Sequence, residues 1–295
     1  MKRKTAGIAL VAALVGCSLT QTSKETEDAI PRIGGGEVLS PKRCVLRMMV
    51  VSRPQGNAAL NESLWRVADE QMLDPDAMLT LQANGLRVGR VSGDLPADVQ
   101  ALLSSTGTQQ ADAQTVVIPD GDQTLLSPGT SKRATMTLFR SQNGKLVVKD
   151  YADPTGLLRV TATYQGQDAV NLRITPEIHY GPMQQGWGVA GGATPMTPQQ
   201  IILKSGQQEE TFREMTTTLT LKPGQVAVIA GRHEKRGSLG GFMFGEAEAQ
   251  NDRTNEKVIF VWAARSESGV IPPIQPPSGL IPFELAPEDN GKAAK

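Results

Sequence analysis

The chain has 295 residues with 30 basic and 30 acidic side chains, and only 4% of its residues are aromatic. A formal net charge of zero offers no broad basic field, so we do not expect a nucleic-acid partner. The length allows one large or two ordinary domains, and the scarcity of aromatic residues predicts cores of Val, Leu, Ile and Met.

The first 16 residues have the pattern of a secretory signal peptide. Three basic residues, Lys2, Arg3 and Lys4, precede the apolar stretch from Ala6 to Val15. This stretch is shorter than the roughly 20 apolar residues that a membrane-spanning helix needs, but it suits the hydrophobic region of a signal peptide. We therefore predict that residues 1–16 are removed, which leaves 27 basic against 30 acidic side chains.

The segment Leu14-Val15-Gly16-Cys17 resembles the lipobox of bacterial lipoproteins. The resemblance implies that diacylglycerol is attached to the Cys17 thiol and that the new amine is acylated with a fatty acid such as palmitate. Two or more acyl chains hold a protein stably at a membrane. Because Ser18 rather than Asp follows, a sorting rule of some lipoproteins favours the outer membrane, facing the periplasm. An ordinary signal peptide with a chance cysteine is the alternative.

Residues 17–42 are polar, contain Gly34-Gly35-Gly36, and are predicted to be a flexible tether. With Cys17 lipidated, Cys44 is the remaining thiol of the sequence, so an intrachain disulfide is excluded. Because Cys44 lies in an apolar run, we expect a buried structural cysteine. A bridge to another chain is the alternative.

Residues 43–125 predict a small α/β domain with the order strand, helix, helix, strand, helix, strand. The run from Cys44 to Val51 predicts a strand that is buried on both faces. A helix follows from the spacing of Leu64, Trp65, Ala68 and Met72, with Trp65 in the core.

Helix-starting and helix-ending residues define the rest of this predicted domain. Asp74-Pro75 starts a second helix, and Asn84-Gly85 ends it. Asp94-Leu95-Pro96 opens a third helix, which lies between predicted strands at Leu86–Val91 and Thr115–Ile118.

Residues 130–265 predict an antiparallel β-sandwich or rolled β-sheet domain, so the fold class is α+β. Asn143-Gly144 is a strong signal for a hairpin between two apolar-polar alternating segments. Similar alternation in Leu158–Tyr164 and Val170–Tyr180 predicts a half-buried antiparallel sheet. The proline-rich residues 266–295 are predicted to be a disordered tail, with a docking peptide as the alternative.

The segment Gly181–Pro198 contains five glycines and three prolines, which predicts a long loop. Such a loop is either functional or a disordered insertion. The string Gly186-Trp187-Gly188-Val189-Ala190-Gly191 matches the dinucleotide-binding fingerprint by spacing alone. The fingerprint acts only between a buried strand and a helix, so we reject it and predict no cofactor.

The sequence does not predict a catalytic residue or a metal site. The two histidines, His179 and His233, lack partners at the spacing of helical zinc motifs, and His179 is expected to point to water. No serine lies in a nucleophile elbow. The remaining polar clusters are interpreted as solvated surface: His233, Lys235 and Arg236 at a hairpin tip, and Glu209, Glu210 and Glu214 along a strand edge.

Residues 168–265, about a third of the chain, resemble part of the C-terminal domain of bacterial secretins, the ring-forming outer-membrane channels. Five segments carry the resemblance: a strand ending in Pro176-Glu177, the strands Thr216–Leu221 and Gln225–Gly231 around Pro223-Gly224, the segment Ser238–Phe244, and a closing apolar strand Val258–Trp262. The chain departs from the family pattern before Leu239-Gly240 and after the closing strand, where the expected prolines are missing.

These observations predict a non-enzymatic lipoprotein of the cell envelope that acts by binding or assembly. Its expected partners are the membrane, through the lipid on Cys17, and envelope proteins or further copies of the chain. One alternative is a ring-forming channel component, which needs amphipathic strands of about 9 to 11 residues. The other is a periplasmic ligand binder or enzyme that uses the loop 181–198.

Overall fold

The computed structural model describes residues 42–104, 112–129, 132–190, 200–232, 234–247 and 254–266. A seven-stranded antiparallel sheet lies at the centre of the fold, with one hydrophobic core against each of its faces. Its path runs β2-β3-β12-β14-β1-β4, and β13 pairs with β14 beside this path. The strands are β1 (Arg43–Pro54), β2 (Ala68–Asp69), β3 (Leu86–Ser92), β4 (Asp112–Pro119), β12 (Gln225–Gly231), β13 (Gly245–Ala247) and β14 (Thr254–Ser266).

A five-stranded antiparallel sheet covers one face of the central sheet. It runs β10-β9-β8-β5, and β11 pairs with β9 on the edge that β10 also uses. Its strands are β5 (Gln123–Leu126), β8 (Thr155–Gln165), β9 (Ala169–Ala190), β10 (Gln200–Thr211) and β11 (Thr217–Leu221). The shared core includes Leu46 and Ile259 from the central sheet and Val160 and Leu172 from the five-stranded sheet.

Short helices cover the opposite face of the central sheet. They are a π-helix (Ala59–Ser63), which continues into α1 (Leu64–Val67), and α3 (Ala97–Leu103). Leu64 and Val99 from these helices are buried against Phe260 and Trp262 of β14. Each core thus contains a few aromatic side chains among mainly aliphatic ones.

Two further helices and a hairpin close one end of the core between the sheets. The helices are α2 (Pro75–Ala83) and α4 (Leu239–Phe244), and the hairpin consists of β6 (Thr135–Gln142) and β7 (Lys145–Ala152). Asn84 is fully buried and links α2 to the hairpin and to α4. Its side-chain Nδ2 donates to Ser141 O at 3.0 Å, and its backbone carbonyl accepts from Gly240 N at 3.0 Å.

The glycines of α4 permit a close approach to the end of α2. A Cβ atom added at Gly240 would lie 1.8 Å from Gly85 O and 3.0 Å from Leu86 N. Gly85 itself has a φ of +76°, a conformation that favours glycine after a helix. The Leu239-Gly240 segment therefore contains glycine because no side chain fits between α4 and the backbone of residues 85–86.

Tyr164 joins the ends of β1 and β14. Its hydroxyl donates to Arg43 O at 2.7 Å and accepts from the backbone N–H groups of Arg43 and Ser266 at 3.2 and 3.1 Å. Arg43 and Ser266 are also register partners in the central sheet. The first and last strands of the described fold are thus joined to the five-stranded sheet by one side chain.

The α+β class and the antiparallel sheet architecture are confirmed. The local punctuation is also confirmed: Asp74 Oδ1 accepts hydrogen bonds from the N–H groups of Asp76 and Ala77 at the start of α2. The turn between β6 and β7 contains Asn143 and Gly144, both with positive φ.

Three predicted features differ from the structure. The predicted helix through Ala68 and Met72 ends at Val67, because Ala68–Asp69 pair with β3 instead. The predicted loop is strand as far as Ala190 and again from Gln200. The boundary predicted between residues 125 and 130 does not separate the sheets, because β1, β3 and β4 share the central sheet with β12 and β14.

Several predictions lie outside the described residues. They are the signal peptide, lipidation at Cys17, the tether as far as residue 41, the tail from residue 267, and the central part of the predicted loop, residues 191–199. Among the residues that are described, no helix is long and apolar enough to cross a membrane.

Candidate binding surface

Two strands continue past the end of β8 as a two-stranded segment, which we call the ribbon: residues 180–190 of β9 and 200–208 of β10. β9 is 22 residues long, but β8 pairs with it only from Ala169 to His179. Beyond His179 its described partner is β10. Tyr180 lies opposite Gln208, the register shifts between Gln208 and Gly206, and regular pairing then runs from Gln184 opposite Gly206 to Ala190 opposite Gln200. In the part of the chain that the structure describes, the outer edge of β10 is unpaired along its whole length.

The five-stranded sheet presents a polar face away from the core. Side chains alternate along β8 and β9, so Val160 and Ile174 face the core while their neighbours Arg159 and Thr175 face outward. A polar cleft of about 530 Å³ lies over this outer face. It is lined by Gln123, Arg159, Thr161, Arg173, Thr175, Glu209, Thr211, Arg213 and Thr216.

A buried ion pair lies at the base of the ribbon on this polar face. The Glu177 side chain is 0% exposed and receives two hydrogen bonds from the Arg159 guanidinium, at 2.6 and 3.0 Å. Its Oε1 also lies 2.8 Å from His179 Nε2. Such a two-point contact holds a carboxylate and a guanidinium in a fixed relative orientation. It therefore fixes β8 and β9 to each other where β9 leaves the sheet.

A second polar cluster lies on the core-facing side of the same region. Glu210 of β10 contacts Arg140, Lys149 and Tyr151 of the β6–β7 hairpin, with Oε2 at 2.5 Å from Lys149 Nζ and 3.0 Å from the Tyr151 hydroxyl. The hydrogen bond to Glu210 raises the pKa of Lys149. Burial, followed by the nearby Glu210 charge, raises the pKa of Tyr151. This cluster fixes β10 to the hairpin.

The structure corrects two predictions about polar residues. His179 does not point freely to water, because it is partly buried and hydrogen-bonded to Glu177. The predicted solvated edge holds for Glu209, whose side chain is 53% exposed, but not for Glu210 or Glu214. Both contact Arg140, at 3.5 and 3.1 Å, because the β6–β7 hairpin packs over them.

Cys44 and Trp65 were both predicted to lie in a core. Cys44 is fully buried, as expected, and burial together with the charge of Asp120 raises the pKa of its thiol to about 12. Trp65 is only partly buried at the side of a core, where the Arg87 guanidinium lies 3.9 Å from the centre of its ring. His233 and Cys17 lie outside the described residues.

Glu177 is a site residue whose contacts the sequence does not predict. The sequence places Pro176-Glu177 at the end of a strand, yet β9 continues to Ala190. One sequence signal could have identified this ion pair. It is a glutamate within an apolar-polar alternating strand, together with an arginine in the preceding strand. It becomes specific only once the register places Arg159 beside Glu177.

No arrangement in the described residues assembles a metal site, since no three His, Cys, Asp or Glu side chains are grouped to hold an ion. Gly186–Ala190, from the dinucleotide-like string, are part of β9 and pair with β10. No residue of Gly181–Gln185 lines the polar cleft.

No protein-family model matches the chain, and no curated protein sequence matches it. Among solved structures, the chain resembles one described as the InvG secretin domain beta-barrel from the Salmonella SPI-1 injectisome NC-base. The identity is 10% and the TM-score is 0.21, over 79% of this chain. The chain covers 65% of the length of that protein, slightly less than two thirds.

Proposed function

We propose that the protein is a lipid-anchored protein of the cell envelope that binds or assembles through its ribbon, without catalysing a reaction. The ribbon is the observation that carries this proposal. An unpaired strand presents a row of backbone N–H and C=O groups, which are a template for a strand from another chain. A partner strand would add to the outer edge of β10.

The base of the ribbon is firmly held, which favours a role in assembly. Glu177 fixes β9 to β8, and Glu210 fixes β10 to the β6–β7 hairpin. A strand that is already ordered loses less conformational entropy when it pairs with a partner. The sequence resemblance of residues 168–265 to the secretin C-terminal domain supports the same interpretation, since secretins assemble into rings.

A role without catalysis agrees with how the reactive residue types are used. Cys44 is enclosed in the core, and His179 is hydrogen-bonded to a carboxylate that also binds an arginine. Glu210 is engaged by Lys149 and Tyr151. Each of these groups has a contact that explains its position in the fold.

The oligomeric state tests the proposed assembly. We would measure the mass and shape of the full-length protein in detergent by light scattering and negative-stain microscopy. The matched variant lacks residues 185–205 and joins Gln184 to Gly206, which are register partners, through an Asn-Gly turn. We expect the wild type to associate, and the shortened variant to be monomeric with an unchanged melting temperature.

The outcomes separate the alternatives. A wild-type protein that stays monomeric, and that captures no envelope protein depending on the ribbon, would contradict the proposal. Closed rings of many subunits would favour the ring-forming channel component over a scaffold. Equal association of the wild type and the shortened variant would move the interface away from the ribbon.

The membrane anchor is tested separately. Cells that express the protein would be labelled with a palmitate analogue, and their membranes fractionated. We expect label and outer-membrane location in the wild type, and loss of both in the Cys17→Ser variant. Label that persists in Cys17→Ser would contradict lipidation at this residue.

A further inference from the structure

A second cavity, of about 430 Å³, lies outside the polar face and the ribbon. It is bordered by the start of β6, the segment between β12 and α4, and the paired ends of β13 and β14. The lining residues used below are Arg133, Met136, Arg232, Arg236, Phe242 and Phe244. None of them contributes to the candidate binding surface.

The rim of this cavity is cationic. Arg133 is exposed and forms no hydrogen bond or ion pair with the residues that the structure describes, and Arg236 donates from Nη2 to the neutral Gln55 Oε1 at 3.1 Å. Arg232 Nε lies 3.5 Å from Glu234 Oε2, and both of these side chains are partly exposed. Three arginines therefore line one cavity, and a guanidinium group has donors suited to a planar anion.

The acidic group among the lining residues does not neutralise this rim. Glu256 lines the cavity, but its Oε1 accepts hydrogen bonds from Asn57 N at 3.2 Å and from Asn61 Nδ2. This carboxylate is thus engaged by the residues that begin the helical layer. The net charge of the lining is positive.

The wall of the cavity combines apolar and polar groups. Met136 of β6 is partly buried and supplies apolar surface. Phe242 and Phe244 of α4 also border the cavity, but at 2% exposure their side chains belong to the core behind its wall. The backbone is close-packed here, because a Cβ added at Gly231 would lie 2.7 Å from Gly240 O. The volume of the cavity lies within the range of small-molecule sites, which combine an apolar wall with a few polar groups that orient the ligand.

We propose that this cavity binds a small organic anion, specifically a carboxylate that carries a short apolar chain. The carboxylate lies among Arg133, Arg232 and Arg236, and the chain lies against Met136. This site goes beyond the proposed assembly function, because it shares no residue with the ribbon and can fail or succeed independently of it.

Binding of hexanoate, measured by isothermal titration calorimetry, tests the site. The full chain would carry Cys17→Ser, which removes the predicted lipid acceptor and therefore the need for detergent. Hexanol and hexylammonium have an apolar chain that is one methylene longer and lack the negative charge. We expect saturable binding of hexanoate at one site, at least tenfold weaker binding of hexanol, and no binding of hexylammonium.

Single arginine substitutions locate the site. We expect Arg133→Gln to weaken hexanoate binding about tenfold. Because Arg133 is exposed and has no partner among the described residues, its loss should leave the melting temperature unchanged. The control is Arg213→Gln, an equally exposed arginine of the polar cleft, which should leave binding unchanged.

Three results would overturn the proposal: no saturable binding of hexanoate, equal binding of hexanol and hexanoate, or equal losses in the two arginine variants. The first would show that the cavity is not a carboxylate site. The second would remove the role of the arginines, and the third would place the anion elsewhere on the protein.

Discussion

Replacing Glu177 with glutamine tests whether the buried ion pair holds the base of the ribbon. Glutamine keeps the shape of the side chain but removes its charge. Arg159 then loses a carboxylate that accepts two hydrogen bonds, at 2.6 and 3.0 Å. Breaking a buried pair by removing one partner costs about 3–5 kcal/mol.

The expected cost is lower here for two reasons. The Arg159 side chain is 25% exposed, so water partly solvates it after the substitution, and it also lies 3.4 Å from Glu209. We therefore expect the free energy of unfolding to fall by about 2–3 kcal/mol. For a domain of this size, that loss lowers the melting temperature by about 4–12 °C.

Glu209→Gln is a matched control, because it removes a carboxylate that contacts the same guanidinium. The Glu209 side chain is 53% exposed, and an exposed pair contributes about 0–1 kcal/mol. Urea unfolding followed by far-ultraviolet circular dichroism gives both free energies, and equal slopes in urea would show that the unfolded states are comparable. Equal losses in the two variants, or a loss below about 1 kcal/mol in Glu177→Gln, would refute the argument from burial.

Three further substitutions test the fold by the same unfolding measurement. Tyr164→Phe removes a hydroxyl that bonds three backbone groups, and we expect a loss of about 1–3 kcal/mol, against little loss in Tyr180→Phe, whose hydroxyl has one contact at 3.4 Å. Gly240→Ala should cost about 3 kcal/mol or more, because its Cβ meets backbone at 1.8 Å, whereas Gly206→Ala, with open space around it, should cost less than about 1 kcal/mol. For Cys44, the unfolded thiol ionises near its ordinary pKa of 9.0, while the folded thiol keeps its proton up to about 12. Stability should therefore fall by about 1 kcal/mol between pH 8 and 10, and Cys44→Ala should lack this part of the decline. Similar losses in each variant and its control, or the same pH dependence with and without Cys44, would contradict these expectations.

Features that depend on a few neighbouring residues were predictable from the sequence. Asp74 caps α2 through contacts that span three residues, and Asn143-Gly144 forms a turn because both residues accept a positive φ. The buried Cys44 follows from its apolar neighbours in β1. None of these predictions requires knowledge of which strands become neighbours.

Features that depend on distant pairing were not predictable. β1 pairs with β14 across more than 200 residues of sequence, so the two predicted domains share a sheet. The helix predicted through Ala68 has the correct spacing, yet Ala68–Asp69 instead pair with β3. Periodicity reports which face of a segment is buried, and it contains no information about the partner that buries it.

The ribbon was predicted to be a loop because of its local composition, and its pairing with β10 depends on residues that are distant in the sequence. Glycine and proline are depleted in central strands because they weaken side-chain packing or remove a backbone donor, so Gly181–Pro198 resembled a loop. Both residues are tolerated where a strand edge faces away from the sheet, and past His179 β9 is paired on one edge only among the described residues. Pro182 and the glycines at 181, 186 and 188 are therefore compatible with a strand that extends beyond its sheet, and Glu177 and Glu210 hold both strands where that extension begins.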